Sequence, residues 1–181
     1  MGCARVLRAA GVVLVAATVL AGCSEEEPAA SSHLPERTCF GAFTRSDLEP
    51  LLGPGKTVKE MSPIDARLTA TRREASCEVV VDGEHRVSVT IRRQPLGQSF
   101  FFQPDPGQPA PDLLPLGDRG YVWDTGAFVT FTCQGAQDSF GLELTISGSV
   151  EHMKRGTSRP HFTGLMTKLM DVAKQQTQCG T

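Results

Sequence analysis

The sequence predicts an α+β fold: a twisted antiparallel sheet with an N-terminal and a C-terminal helix packed on it. Three observations carry this. β-Branched and polar residues alternate at a period of two through 86–92, 129–133 and 140–146, as in strands with one buried and one wet face. Apolar residues recur at helical spacing only near 44–52 and 160–173. Four cysteines, Cys39, Cys77, Cys133 and Cys179, fall beside these elements and suit two disulfides.

The first helix opens at Thr44-Arg45-Ser46-Asp47, where Thr44 caps the helix and Asp47 stands at its third position, close to a capping box. Leu48, Leu51 and Leu52 supply its apolar stripe, and Gly53-Pro54-Gly55 stops it. Strands of modest quality are expected over 56–61 and 67–73. A stronger signal follows. Cys77-Glu78-Val79-Val80-Val81 and Arg86-Val87-Ser88-Val89-Thr90-Ile91-Arg92 flank Asp82-Gly83, a hairpin turn pair between β-branched runs. Val87, Val89 and Ile91 share the buried face.

Residues 94–115 break the pattern with six prolines and the run Phe100-Phe101-Phe102. A long irregular segment of this kind is functional or disordered. Two expectations compete for the rings: a strand end that turns one or two of them inward, or an exposed apolar patch that meets a partner or the membrane surface. Phe100, Phe101 and Phe102 are therefore the candidate partner surface. Beyond Leu116-Gly117-Asp118, Val129–Cys133 and Phe140–Ile146 alternate cleanly, with a turn over 135–138. Cys133 shares the inward face of Val129 and Phe131. Thr157 or Ser158 can cap the last helix, with Pro160 in its first turn. Phe162, Leu165, Met166, Leu169, Val172 and Ala173 form its apolar face. No internal repeat is visible.

The N-terminus carries an address. Arg5 and Arg8 precede the apolar run from Ala9 to Leu20, and Leu20-Ala21-Gly22-Cys23 closes the segment. A charged start, a short apolar stretch and small residues make a signal peptide over 1–22. The run falls short of the roughly 20 apolar residues that a transmembrane helix needs. The closing four residues resemble the bacterial lipobox, in which the cysteine thiol receives a diacylglycerol before cleavage in front of it. Cys23 is thus the expected lipidation site and first mature residue. Met1-Gly2 does not signal myristoylation, because Val6 stands where Ser or Thr is required. Residues 23–36, acidic and rich in Pro and small side chains, read as a lipidated flexible tether in which His33 is solvated. Residues 37–181 form a single globular domain.

Removing the signal, which holds two arginines and no acid, takes the net charge from −2 to −4. That excludes general nucleic-acid binding, which needs clustered Lys and Arg. With Cys3 in the signal and Cys23 lipidated, four cysteines remain and allow three connectivities. Pairing of chain neighbours, Cys39–Cys77 and Cys133–Cys179, is preferred. On the chain-entropy model such loops contribute about 4 kcal/mol each. A zinc site is excluded by spacing, since no two of the four form a C-x-x-C knuckle.

No catalytic constellation stands out. Asp124-Thr125-Gly126 has the aspartic protease signature but lacks the second copy that a proton-sharing dyad needs; a tight turn with Gly126 at positive φ accounts for it. Gly97-Gln98-Ser99-Phe100-Phe101 lacks the second glycine of a serine hydrolase elbow. His85, His152 and His161 are isolated, and the sequence holds no H-E-x-x-H, P-loop or G-x-G-x-x-G. Arg72, Arg73, Arg86, Arg92 and Arg93 suit an ordinary charged face better than a basic strip for anionic headgroups or wall polymers. No cofactor or metal is implied.

In their order these features resemble the small actinobacterial lipoproteins of domain-of-unknown-function family 3558, over nearly the whole mature chain. The likeness rests on the lipobox and on Cys39 before the first helix with its Leu51-Leu52-Gly53 ending. It also rests on Cys77 opening a strand, the Leu116-Gly117-Asp118 turn, the strand pair after it and the closing amphipathic helix. Val79 stands where members often carry Trp, and Gly120 where Ala usually follows the turn. The resemblance implies helices packed on a sheet, as in the PsbP/Mog1 group, and no particular activity. The expected function is a non-catalytic protein-interaction module, anchored on the extracytoplasmic face of the cell membrane, with a cell-envelope protein as partner. The alternative is a carrier that holds a small apolar ligand between sheet and helix.

Overall fold

A computed structural model describes residues 29–63, 65–69, 71–100, 102, 109–135, 137–147 and 158–177. The signal peptide, Cys23, Phe101, His152 and Cys179 lie outside the described residues. A two-stranded ribbon, β1 (Arg37–Thr38) and β2 (Phe43–Thr44), leads into α1 (Arg45–Leu52). The main sheet holds β3 (Val58–Met61), β4 (Glu74–Val81), β5 (Glu84–Pro95), β6 (Asp112–Leu113), β7 (Arg119–Trp123), β8 (Gly126–Thr132) and β9 (Asp138–Ile146). Their spatial order is β3-β4-β5-β9-β8-β7-β6, antiparallel throughout. The closing helix, α2 (Ser158–Gln176), lies over β7, β8 and β9. The α+β class and both helices are as expected.

The inner face follows from strand parity. Ala75, Cys77, Val79 and Val81 of β4 alternate with wetter neighbours, as do Val87, Val89 and Ile91 of β5. They meet Leu48, Leu51 and Leu52 of α1 and Phe162, Leu165, Met166 and Leu169 of α2 in one core. Asp82, in the left-handed region at φ 51°, and Gly83 make the β4–β5 turn. The Asp82 carboxylate accepts hydrogen bonds from the Thr57 hydroxyl and amide and from the Lys56 amide, which hold it below the usual carboxylate range and fasten β3 to the hairpin.

The α1 capping box is complete. The Asp47 amide donates to Thr44 Oγ1 and the Thr44 amide to Asp47 Oδ2. Asp47 also receives Lys168 Nζ of α2 at 2.6 Å, so one carboxylate caps one helix and ties it to the other. Burial pushes its pKa up, but the bonds from Lys168 and Thr44 prevail and leave it lowered. A lowered carboxylate contributes stability above its unfolded value, about 3.9, and loses it as pH falls through the folded value. Asp47→Ala should cost about 1 kcal/mol near neutrality. In urea melts below about pH 4, the gap to wild type should shrink.

Three expectations need correction. Residues 67–73 are not a strand: Thr69 and Arg72 close a turn, Asp65 binds Arg72, and Ala66 and Leu68 are buried by it. Gly126 does not take a positive φ; its added Cβ would stand 2.5 Å from the Leu144 carbonyl and 2.7 Å from the Trp123 ring. The tether ends sooner than residue 36. Ala29 bridges Pro54, the Ala30 amide bonds the Gly53 carbonyl, a 3-10 turn spans Ala30–His33, and Ala30, Ser31 and Leu34 are buried. His33 is exposed, as expected.

Candidate functional site

Cys39 and Cys77 form a disulfide, S–S 2.01 Å, with both residues fully buried. It pins the β1–β2 turn to β4. Cys133 lies just past β8, partly buried against the core; Cys179, its expected partner, lies outside the described residues, so Cys39–Cys77 is the one disulfide among the described residues. Glu60 sits beside the first bridge, accepting from the Cys39 amide at 2.8 Å and lying 3.8 Å from Cys77 Sγ. Cys39, Glu60 and Cys77 are the one group of potential metal ligands among the described residues. The bridge leaves neither sulfur a thiolate, so the group is a structural junction.

Asp124 and Thr125 make the turn between β7 and β8. The Asp124 carboxylate is taken by Arg159 of α2 at 2.9 Å, and Ser158 Oγ donates to the Asp124 carbonyl at 2.6 Å. Arg159 also binds Asp112 at 2.6 Å and the Ala110 carbonyl at 3.3 Å. Bonds to Asp112 and Asp124 hold the guanidinium more firmly protonated than usual. One arginine thus clamps the proline-rich segment, a hairpin turn and the start of α2. A protease aspartate needs a second carboxylate; this one has a cation. Arg159→Ala should destabilise the fold by about 2 kcal/mol, because it strands a largely buried Asp124. Thermal unfolding checks this, and Asp124→Asn should lose less.

The arginines expected on one charged face do not share it, since Arg72 sits in a turn and Arg93 has the parity of the buried Val89 and Ile91, and most are ion-paired. Arg92 pairs with Glu74 and Glu143, Arg93 with Asp138, Arg72 with Asp65 and Arg86 with Glu84. His85 pairs with Glu78, and His161 Nε2 lies 2.8 Å from the Asp47 carbonyl. None of these histidines faces a nucleophile.

The unforeseen assembly lies on the sheet face opposite the helices. Tyr121 and Trp123 of β7 and Phe128 of β8 have the parity of that face. Phe102 stacks on Phe128 with ring centroids 5.2 Å apart, on Tyr121 at 5.5 Å, and tilts onto Trp123 at 4.8 Å. Phe100 meets Phe128 edge-on at 6.4 Å. Its ring lies over Gly141, where an added Cβ would come within 2.6 Å of it. The site thus needs glycine at 141 to seat Phe100. Phe100 and Phe102 are half-buried, so two of the three candidate rings join one cluster and neither stands free.

Beside the cluster runs an open cleft of about 410 Å³. Phe100, Phe102, Tyr121 and Phe128 form its aromatic side; Gln98, Ser99, Asp118, Arg119, Thr130 and Ser139 give it hydroxyl, amide and charged groups. A second open cleft, about 620 Å³, lies near Arg67, Arg93, Cys133 and Gln176. The space between α2 and the sheet is filled by Phe131, Leu142, Phe162, Met166 and Leu169.

Sequence parity held the missing signal: Tyr121, Trp123 and Phe128 alternate with Val122 and Val129, so they had to leave the core face. No family model, curated protein or solved structure matches the chain.

Proposed function

We propose that the chain is an extracytoplasmic lipoprotein of the kind its sequence resembles, lipidated at Cys23, and that its domain is a non-catalytic binding module for a partner in the cell envelope. Leu20-Ala21-Gly22-Cys23 after a signal peptide is the observation that carries this. Two acyl chains hold a protein on a membrane stably where one does not. Among the described residues no helix is long and apolar enough to cross a membrane, so the reading makes Cys23 the anchor. The second staple of the fold, in this reading, is Cys133–Cys179.

The bridge between Ala29 and Pro54 gives the anchor a geometry. Five residues, 24–28, separate Ala29 from Cys23 and span at most about 18 Å. Ala30 lies against Gly55 near the β4–β5 turn, at one end of the sheet. Ser139 of the aromatic cleft pairs with Gln94 at the other end of β5, about 30 Å along the strand. The cleft therefore belongs to the end that reaches outward. The carrier reading is disfavoured, because side chains fill the space where its ligand would sit.

Cys23→Ser tests the anchor in a bacterial host with lipoprotein processing. Wild type should pellet with membranes and show at least two acyl chains on the first mature residue by mass spectrometry. The variant should be soluble and unacylated. A wild-type protein with an unmodified Cys23 would overturn the proposal.

A further inference from the structure

We infer that the outward cleft binds a neutral glycan chain; this deepens the proposed function and rests on it. The face of a sugar ring is apolar C–H, and its rim is hydroxyl. A binding site therefore needs flat aromatic surface with hydrogen-bonding groups beside it. The partial positive charge of C–H groups suits the negative face of an aromatic ring. Tyr121, Phe100 and Phe102 supply half-buried rings. Gln98, Ser99, Ser139 and Thr130 set amide and hydroxyl groups along the same cleft.

Charge and shape narrow the class. The cleft carries one acid and one base, Asp118 and Arg119, so it has no net attraction for a polyanion. Its volume falls in the range of small-ligand sites, about 300–1,000 Å³, yet it is open along its length. An apolar ligand would leave too much of its surface in water there, since such ligands are usually 70–90% buried. An extended chain crosses an open cleft and presents several rings in turn. Proteins dock through about 800 Å² per partner around exposed anchors. The cleft's rings are instead half-sunk, and Phe128 is buried.

The chain has one tryptophan, Trp123, which is 3% exposed and lies against Phe102. Its fluorescence reports on the cleft without a label. The experiment uses the mature protein in detergent and, in parallel, the Cys23→Ser chain. Neutral oligosaccharides released from protein-free, lipid-free envelope polysaccharide of the source bacterium are titrated against a uronic-acid oligomer and a proline-rich decapeptide. The expected result is a saturable change in Trp123 emission with the neutral fraction alone. Tyr121→Ala and Gly141→Val should weaken that binding at least tenfold while unfolding cooperatively. Glu49→Ala, exposed on α1 in the other layer, should bind as wild type does.

A saturable response to the decapeptide alone, a stronger response to the uronic-acid oligomer, or no response to any saccharide would overturn the inference. So would neutral binding that survives both cleft variants. Binding by the Cys23→Ser chain keeps this outcome separate from the fate of the anchor, which the acyl mass reads by itself.

Discussion

Replacing Cys39 and Cys77 together with alanine should lower the stability of the domain by about 3 kcal/mol. The bridge spans 38 residues, and the chain-entropy model assigns such a loop about 4 kcal/mol. A part of that returns when the bridge is cut. Cys39 and Phe40 hold φ of 50° and 63°, a region that costs a non-glycine residue about 1 kcal/mol, and Gly41 follows at 79°. Without the bridge this turn can relax. The Ala42 amide, bonded to the Cys39 carbonyl at 3.0 Å, and the Glu60 carboxylate on the Cys39 amide resist that only in part. In thermal melts the double variant should unfold about 10 °C below wild type. Dithiothreitol should act slowly on the folded protein, because both residues are fully buried. A drop under 1 kcal/mol would mean that β4 and the β1–β2 turn hold their places without the bridge.

What could be read in the sequence was whatever rests on near neighbours. The capping box at Thr44, the Asp82–Gly83 turn, the alternation in β5, β8 and β9, and the stripe of α2 all lie within a few residues of their cause. The Cys39–Cys77 pair was read by chain proximity. Hidden features depend on partners far away in the chain. Ala30, Ser31 and Leu34 look like tether until α1 and Gly53 supply a wall for them. Gly126 looks like a turn glycine, whereas Trp123 and Leu144 set its size limit. Phe100 and Phe102 looked like a patch or a strand end. The rings that receive them sit on two other strands, beyond a proline-rich segment, and only the register of β7 with β8 aligns those rings.

Phe162→Ala should cost about 4 kcal/mol, the second large effect, and its size bears on function. The side chain is fully buried in the layer between α2 and the sheet, among Leu165, Met166 and Leu169 of its own helix. Truncating a buried phenylalanine removes its transfer energy and leaves a cavity; together these cost about 3–5 kcal/mol. The upper part of that range holds where neighbours cannot collapse into the space. Here α2 is fixed near its start by Arg159 and Ser158 on Asp124, and on its next turns by His161 and Lys168 on α1. The helix cannot settle onto the sheet without breaking those bonds, so the cavity persists. A carrier would keep room in this layer, and its lining could be trimmed at about 1 kcal/mol or less. Urea unfolding of Phe162→Ala beside Phe128→Ala makes the comparison. Phe128 lies on the outer face, beside an open cleft and under Phe100 and Phe102, and its truncation should cost less. If Phe162→Ala proved the milder of the two, the layer under α2 would be the adaptable one, and the ligand would belong there instead of in the outer cleft.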